Sequence, residues 1–205
     1  MGDTGYNSTG YTCFDVEVRD RIARLTMKRP ERANSMIAEF WTELPGIIDD
    51  ISACDLRYAT SDAFFVIQEI NIGMTADVGT LQRMPKLVPE GVVRELAYTG
   101  RRMGAEEALD RGFVNAVYDD HASMMEAVHE IAAQIAAKSP MAVWGTKQTM
   151  NYSRDHSVAD GLEYIATWNA AMFDTDDMGE AFRSQLDKRD AEFPGHRPLH
   201  GGLAT

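Results

Sequence analysis

The sequence is poor in cysteine and in basic residues, and it has no long apolar run. Its two cysteines, Cys13 and Cys54, form no CxxC pair, and its five histidines show no metal-ligand spacing, so neither a disulfide framework nor a metal site is predicted. Lys and Arg total 20 against 32 Asp and Glu, which gives a net charge of −12 and disfavours contact with nucleic-acid phosphates. No apolar segment reaches the ~18 residues of a membrane-spanning helix. Nucleic acids and membranes are therefore not expected as partners.

Targeting signals are also missing from the sequence. The start has no basic and apolar signal peptide, and the last residues, Leu203-Ala204-Thr205, do not form a peroxisomal address. We therefore expect reduced thiols and a cytoplasmic location. With 44% hydrophobic and 25% charged residues, the chain has the composition of a globular protein that buries one core.

Residue periodicity predicts strands in the first half of the chain and helices in the second. Alternating residues at 14–18 and the run at 22–27 indicate a β-hairpin. A helix weakened in its second half by Pro45 is expected to be capped by Asn34 or Ser35. Further strands are predicted at 56–60, 63–67 and 113–118, and further helices at 78–84, 90–98, 105–111, from 121 to the break at Ser139-Pro140, 141–152, 158–173 and 177–189. This order predicts a mixed α/β class with a helical C-terminal portion.

Composition divides the chain into four parts. Residues 1–12, rich in glycine and small polar residues, are predicted to be a flexible leader, and residues 191–205, with several Pro and Gly, a tail. Between them we expect a core at 13–138 and a helical region at 139–190.

Glu69 and Asp77 form a candidate pair of catalytic acids. Glu69 is predicted to end an apolar strand and Asp77 to open a short helix eight positions later, so a returning loop would aim both carboxylates into one cavity. Two carboxyl groups that face one substrate can act together, because one removes a proton while the other delivers one. Spacing alone leaves the alternative that Glu69 is a surface acid and Asp77 only a helix cap.

Four stretches of the sequence resemble the enoyl-CoA hydratase/isomerase, or crotonase, superfamily. They are RIARLTMKRPERANSM at 21–36, ACDLRYATSDAFFVIQEINIGMTADVGTLQRMPK at 53–86, ELAYTGRRMGAEEALDRGFVNAVYDD at 95–120 and AAKSPMAVWGTKQTMNYSRDHSV at 136–158. Because separate motifs agree in order over about residues 14–190, the resemblance is specific. It implies an α/β fold of the crotonase type, a ββα spiral, with C-terminal helices used for trimer assembly.

The acidic pair looks most like that of the family's dienoyl-CoA isomerases. The relevant residues are Glu69 and Asp77 in QEINIGMTADVGTLQR, together with YSRDHSVADGLEYIATWN. The resemblance implies proton removal from carbon 2 of a 3,5-dienoyl thioester, delocalisation into a dienolate, and protonation at carbon 6. It implies no metal or redox cofactor, since coenzyme A enters as part of the substrate. In the family's hydratases the position of Asp77 looks like a glycine, so Asp77 favours isomerisation over hydration.

The resemblance also implies a binding turn and an assembly. Lys28, Arg29, Arg32 and Ala33 lie in a turn that would meet the phosphates and adenine of coenzyme A. The alternative is an ordinary solvated turn. The implied assembly is a homotrimer or homohexamer.

One block of the family pattern is missing between the first helix and ACDLRY, near residues 51–53. In the family, that block includes strands and a glycine-rich turn that supply the oxyanion hole, so no residue here inherits that role. The family's isomerases carry an aspartate twenty residues before the position of Glu69, which corresponds to Asp49. Asp49 is therefore a third candidate acid, with a solvent-facing acid at the end of the first helix as the alternative.

Three functions remain open from the sequence. The first is isomerisation of a dienoyl-CoA, and the second is hydration or Δ3-Δ2 isomerisation of an enoyl-CoA. The third is a remnant that binds coenzyme A or oligomerises without catalysis. The missing block predicts turnover well below that of a complete relative, because one oxyanion donor contributes about 3 kcal/mol to transition-state stabilisation.

Overall fold

The computed structural model describes residues 6–8, 10–48, 55–172 and 175–194. Its strands are β1 (Tyr6–Ser8), β2 (Phe14–Arg19), β3 (Ile22–Met27), β4 (Tyr58–Thr60), β5 (Phe64–Phe65), β6 (Met103–Gly104) and β7 (Ala116–Tyr118). Its helices are α1 (Ala38–Ile48), α2 (Thr80–Arg83), α3 (Glu90–Thr99), α4 (Ala105–Asp110), α5 (His121–Ala136), α6 (Pro140–Ser153), α7 (Val158–Met172) and α8 (Thr175–Asp187). The predicted order of early strands and late helices is confirmed.

A three-stranded sheet in the order β1-β2-β3 includes the predicted hairpin. Its turn residues, Asp20 and Arg21, both have positive φ, 50° and 63°, as in the tight turns that match strand twist. β1 pairs antiparallel with β2, and Tyr6 lies opposite Val18. The prediction of an unpacked leader is therefore wrong for residues 6–8, because these residues satisfy the backbone groups of β2 that would otherwise form an open sheet edge.

The start of α1 also differs from the prediction. Pro30–Arg32 forms a short 3-10 helix, and the side-chain oxygen of Asn34 accepts a hydrogen bond of 2.9 Å from the backbone N–H of Arg29. Asn34 therefore closes the preceding turn instead of capping a helix. α1 begins at Ala38 and continues through Pro45.

The described residues divide into two compact units. The core unit consists of the described residues within 10–14 and 27–130, and the helical unit of residues 6–8, 15–26 and the described residues from 131 onward. The division between these two units falls within α5, and the four-part division of the chain stays a prediction.

The core unit buries a continuous apolar cluster that supports the candidate site. Val93 and Leu96 of α3 belong to it, 3% and 2% exposed. Ile67 and Ala76, on either side of the loop between the two candidate acids, are also buried members. Both ends of that loop are therefore anchored in the core.

Two small strand pairs complete the core unit. β4 and β7 are parallel, with Tyr58 opposite Ala116, and β5 and β6 are antiparallel, with Phe64 opposite Gly104. β6 was not predicted, because a strand of two residues leaves no periodic signal.

Candidate functional site

The segment from Glu69 to Asp77 is a tight turn followed by irregular chain. A 3-10 helix spans Glu69–Ile72 and ends at Gly73, whose φ of 76° lies in the left-handed region that favours glycine. The backbone N–H of Gly73 donates to Ile70 at 3.2 Å, and that of Met74 donates to Glu69 at 2.9 Å. These bonds fix the backbone that carries Glu69.

The structure corrects the predicted settings of both acids. β5 ends at Phe65, so Glu69 opens a 3-10 helix and does not end a strand. The N-cap of α2 is Gly79, with φ 90° and no side-chain hydrogen bond at the cap. Because this positive-φ glycine begins the helix, Asp77 is not used as a helix cap, and that alternative is removed.

Neither carboxylate is committed to a partner within the described part of the chain. Glu69 is half-buried and Asp77 is exposed, and no described residue bonds or pairs with either side chain. The two groups are therefore free to meet a substrate.

An apolar cavity of about 320 Å³ lies against this segment. Ile70, Met74 and Ala76 form one side of the cavity, and Val93 and Ala97 of α3 form another. Glu69 and Asp77 are not part of the wall. Glu69 is next in sequence to Ile70, and Asp77 is next to Ala76, so the acids stand at the two ends of the loop that lines the cavity.

The surface of the loop is apolar as well. Ile70, Ile72, Met74 and Val78 are 43%, 66%, 49% and 61% exposed. Four exposed large apolar side chains within nine residues form a patch of the kind that binds a ligand or a partner.

Polar contacts fasten the loop to the end of α3. The side-chain amide of Asn71 donates to the carbonyl oxygen of Gly100 at 3.4 Å. A Cβ at Gly100 would lie 2.5 Å from that amide nitrogen, so only glycine leaves room for this contact.

An ion-pair cluster links the chain just after α3 to both α3 and α4. Arg101 donates to Glu95 at 2.6 Å and to both oxygens of Glu107 at 2.8 Å each. The hydrogen bonds from Arg101 hold the pKa of Glu107 below its ordinary value.

Some residues of the candidate coenzyme-binding turn form contacts that stabilise the turn itself. Arg29 donates through Nη1 to the carbonyl oxygen of Ser35 at 2.9 Å. Ala33 has a φ of 50° and ends the 3-10 helix, Arg32 is exposed and Lys28 is half-buried. Coenzyme A binding by these four residues stays a prediction. Asp49, the third candidate acid, lies outside the described residues.

Sequence reasoning missed the polar side of the cavity. Glu90, Arg94 and Tyr98 line it from α3. Their four-residue spacing in EGVVRELAY is a signal that places them on one helix face.

Comparison with known proteins identifies the class. Residues 51–196 match the model of the enoyl-CoA hydratase/isomerase family, and the chain belongs to that family. The enoyl-CoA hydratase EchA1 of Mycobacterium marinum superposes with a TM-score of 0.82 at 24% identity, over 90% of this chain and 100% of that one. The expected crotonase-like α/β fold is confirmed.

The particular relatives are dienoyl-CoA isomerases. The chain is 48% identical over 148 residues to the mitochondrial Delta(3,5)-Delta(2,4)-dienoyl-CoA isomerase of Mus musculus, covering 72% of this chain and 45% of that protein. It is 46% identical to the peroxisomal enzyme of that name from Arabidopsis thaliana, covering 72% of this chain and 53% of that protein. The chain thus spans about half the length of the curated relatives it matches.

Three further expectations have different outcomes. Among the described residues, no helix is both long and apolar enough to span a bilayer. These relatives carry mitochondrial or peroxisomal names, which do not support the expected cytoplasmic location. Trimer or hexamer assembly stays a prediction.

Proposed function

We propose that this protein isomerises a dienoyl-CoA thioester by proton transfer through Glu69 and Asp77. The observation that carries the proposal is the cavity. Its wall includes the loop whose ends carry these two acids, and neither acid has another partner within the described residues. The names of the relatives that match most of this chain support the same chemistry.

The reaction requires no redox partner. One carboxylate takes a proton from carbon 2 of a 3,5-dienoyl thioester, and the electron pair moves into a dienolate. The other carboxyl group then gives a proton to carbon 6, so the double bonds end at positions 2 and 4. One C–H bond is broken and one is formed, which is general base and general acid catalysis by two side chains.

The apolar loop gives the two acids a suitable setting. A hydrocarbon chain that covers Ile70, Ile72 and Met74 removes water from the loop surface. Electrostatic interactions between the carboxyl groups and the developing charge become stronger when water is excluded.

Ultraviolet absorbance tests the proposal directly. A 3,5-dienoyl-CoA gains conjugation with its thioester on conversion, so absorbance should rise in the presence of the protein. Glu69→Gln and Asp77→Asn should each abolish the rise. Asp62→Asn is the control, because Asp62 is an exposed acid of the same unit and should leave the rate unchanged.

Other results would contradict the proposal. Loss of absorbance with a 2-enoyl-CoA, and no reaction of the dienoyl-CoA, would indicate a hydratase. Turnover of neither substrate would indicate a non-catalytic remnant. The missing oxyanion turn leads us to expect a rate below that of a complete dienoyl-CoA isomerase, and an equal rate would show that other backbone donors replace that turn.

A further inference from the structure

The cavity beside the loop has one polar side, formed by three residues of α3. Glu90, Arg94 and Tyr98 line it, and their four-residue spacing places them on one helix face. The side chain of Arg94 is 60% exposed and Tyr98 is 66% exposed. This polar side therefore lies at the mouth of the cavity, and the buried lining residues Ile67, Ala76 and Val93 lie deeper.

The guanidinium of Arg94 is held in a fixed position by its neighbours. Nε and Nη2 donate to one carboxylate oxygen of Glu90 at 2.8 and 2.6 Å, and Nη1 donates to the hydroxyl oxygen of Tyr98 at 2.8 Å. A guanidinium carries five N–H groups. The three contacts leave one N–H on each terminal nitrogen, and each of these can donate to an oxygen acceptor.

We propose that this cavity binds an apolar chain that ends in an oxygen acceptor, with the chain against the apolar wall and the oxygen on Arg94. Its volume of about 320 Å³ is about twice that of a cavity that accepts benzene, which is room for a chain of about eight carbons. Two sources share this chemistry: a free medium-chain carboxylic acid, and an acyl-CoA with an oxygen at the far end of its chain.

Glu90 sets the preference among oxygen acceptors. Its carboxylate stands beside the free end of Arg94 and repels a bound carboxylate. A neutral oxygen does not meet this repulsion. Removal of the Glu90 charge should therefore strengthen the binding of a carboxylate, while removal of the Arg94 charge should weaken it.

Titration calorimetry of the 205-residue protein with octanoate tests the site. We expect saturable binding that falls at least about tenfold in Arg94→Met, because a charge-assisted hydrogen bond is lost, and that tightens in Glu90→Gln. Octylamine, with the same chain and a cationic end, should bind more weakly than octanoate. Arg102→Met is the matched control, because Arg102 lies over the ring of Phe64 and does not line the cavity.

Two results would overturn the proposal. One is the absence of saturable octanoate binding to the unmodified protein. The other is an unchanged affinity in Arg94→Met when circular dichroism shows that the variant is folded. Ala97→Leu fills the cavity and should weaken octanoate and octylamine alike, which separates the contribution of the chain from that of the polar end.

Further binding experiments distinguish a free acid from an acyl-CoA as the ligand, and they separate binding at this site from catalysis. Tighter binding of an acyl-CoA with a carboxyl at its far end than of the unsubstituted thioester, lost in Arg94→Met, assigns the site to the substrate. Octanoate binding without that preference assigns it to a free acid. Glu69→Gln should still bind octanoate, because binding needs no proton transfer, so failure of the isomerase proposal leaves this one intact.

Discussion

The loop between Glu69 and Asp77 and the contact of Gly145 with Trp168 in the helix pair α6–α7 use apolar side chains in opposite ways. In the helix pair, Trp168 approaches α6 so closely that a Cβ at Gly145 would lie 2.4 Å from its Nε1. In the loop, Ile72 and Met74 remain 66% and 49% exposed. The helix pair gains stability from close packing where Gly145 meets Trp168, although Val158 and Leu162 of α7 stay exposed, whereas the loop leaves its apolar surface and its two carboxylates open to a ligand. Residues for stability and residues for function are therefore separable by mutation.

The largest expected effect is on catalysis, without an effect on stability. The double substitution Glu69→Gln and Asp77→Asn should lower the proposed isomerisation by about a thousandfold or more, because both proposed proton carriers are lost. The free energy of unfolding should change by less than about 0.5 kcal/mol, as for surface residues without partners. Rates and denaturant unfolding of the same samples measure both. A large loss of stability would show that the acids hold the loop together.

The second prediction concerns the helix pair. Here we expect an effect on stability, whereas the first prediction concerned catalysis. Gly145→Ala places a methyl group against the indole of Trp168, with ring atoms at 2.4, 2.9 and 3.2 Å. We expect a destabilisation of about 1–3 kcal/mol, because a packed ring cannot move aside freely. Denaturant unfolding provides the measurement.

Gly91→Ala is the matched control for this substitution. Gly91 lies in α3, and a Cβ there meets no atom within 4 Å. It should stabilise the protein by up to about 1 kcal/mol, since alanine is the better helix former. Equal effects at the two glycines would show that helix propensity, and not packing against Trp168, decides the outcome.

The third prediction concerns a polar contact in the same helical unit. The hydroxyl of Ser139 caps α6 by accepting from the backbone N–H of Ala142 at 3.2 Å, and it donates to the buried carboxylate of Asp177. Ser139→Ala should destabilise the protein by about 1–3 kcal/mol, because a cap and a bond to a buried acid are both lost. Ser139→Thr keeps the hydroxyl and should lose less, and equal losses would exclude the hydroxyl as the cause.

The comparison also shows which features the sequence predicts well. Helices α5 to α8 follow apolar spacings such as Met124, Val128 and Ile131, and their predicted bounds agree with the structure within a few residues. α1 continues through Pro45, although the low helix propensity of proline argued against it.

The candidate site was predicted in part. The identities of the two acids came from the motif, but their settings did not, because Gly73 and Gly79 redirect the backbone through positive φ. Such a choice between turn types depends on atoms distant in sequence. The polar side of the cavity depends on which face of α3 meets the loop, and periodicity alone cannot fix that.

The smallest expected effect is a pH dependence at the end of the helical unit. Glu180 accepts hydrogen bonds from Arg189 at 2.5 and 3.1 Å and from the backbone N–H of Glu192 at 2.9 Å. These contacts lower the pKa of Glu180 to about 2 from its ordinary 4.5. Because the folded-state pKa is depressed, the contribution to stability is complete above pH 4.5 and is lost as the pH falls towards 2.

Glu180→Gln therefore makes a sharp comparison with the unmodified protein. The difference in melting temperature between the two should be constant above about pH 5 and shrink on acidification, since a protonated Glu180 gives up its charge-assisted bonds. Glu163→Gln, at an exposed acid of α7, should show no such trend. A difference that persists unchanged to pH 2 would mean that the effect of Glu180 does not depend on its charge. No difference at any pH would mean that the segment after α8 is held by its packing, for example by the buried ring of Phe193. In that case the end of the helical unit would follow the same close-packing rule as the α6–α7 pair.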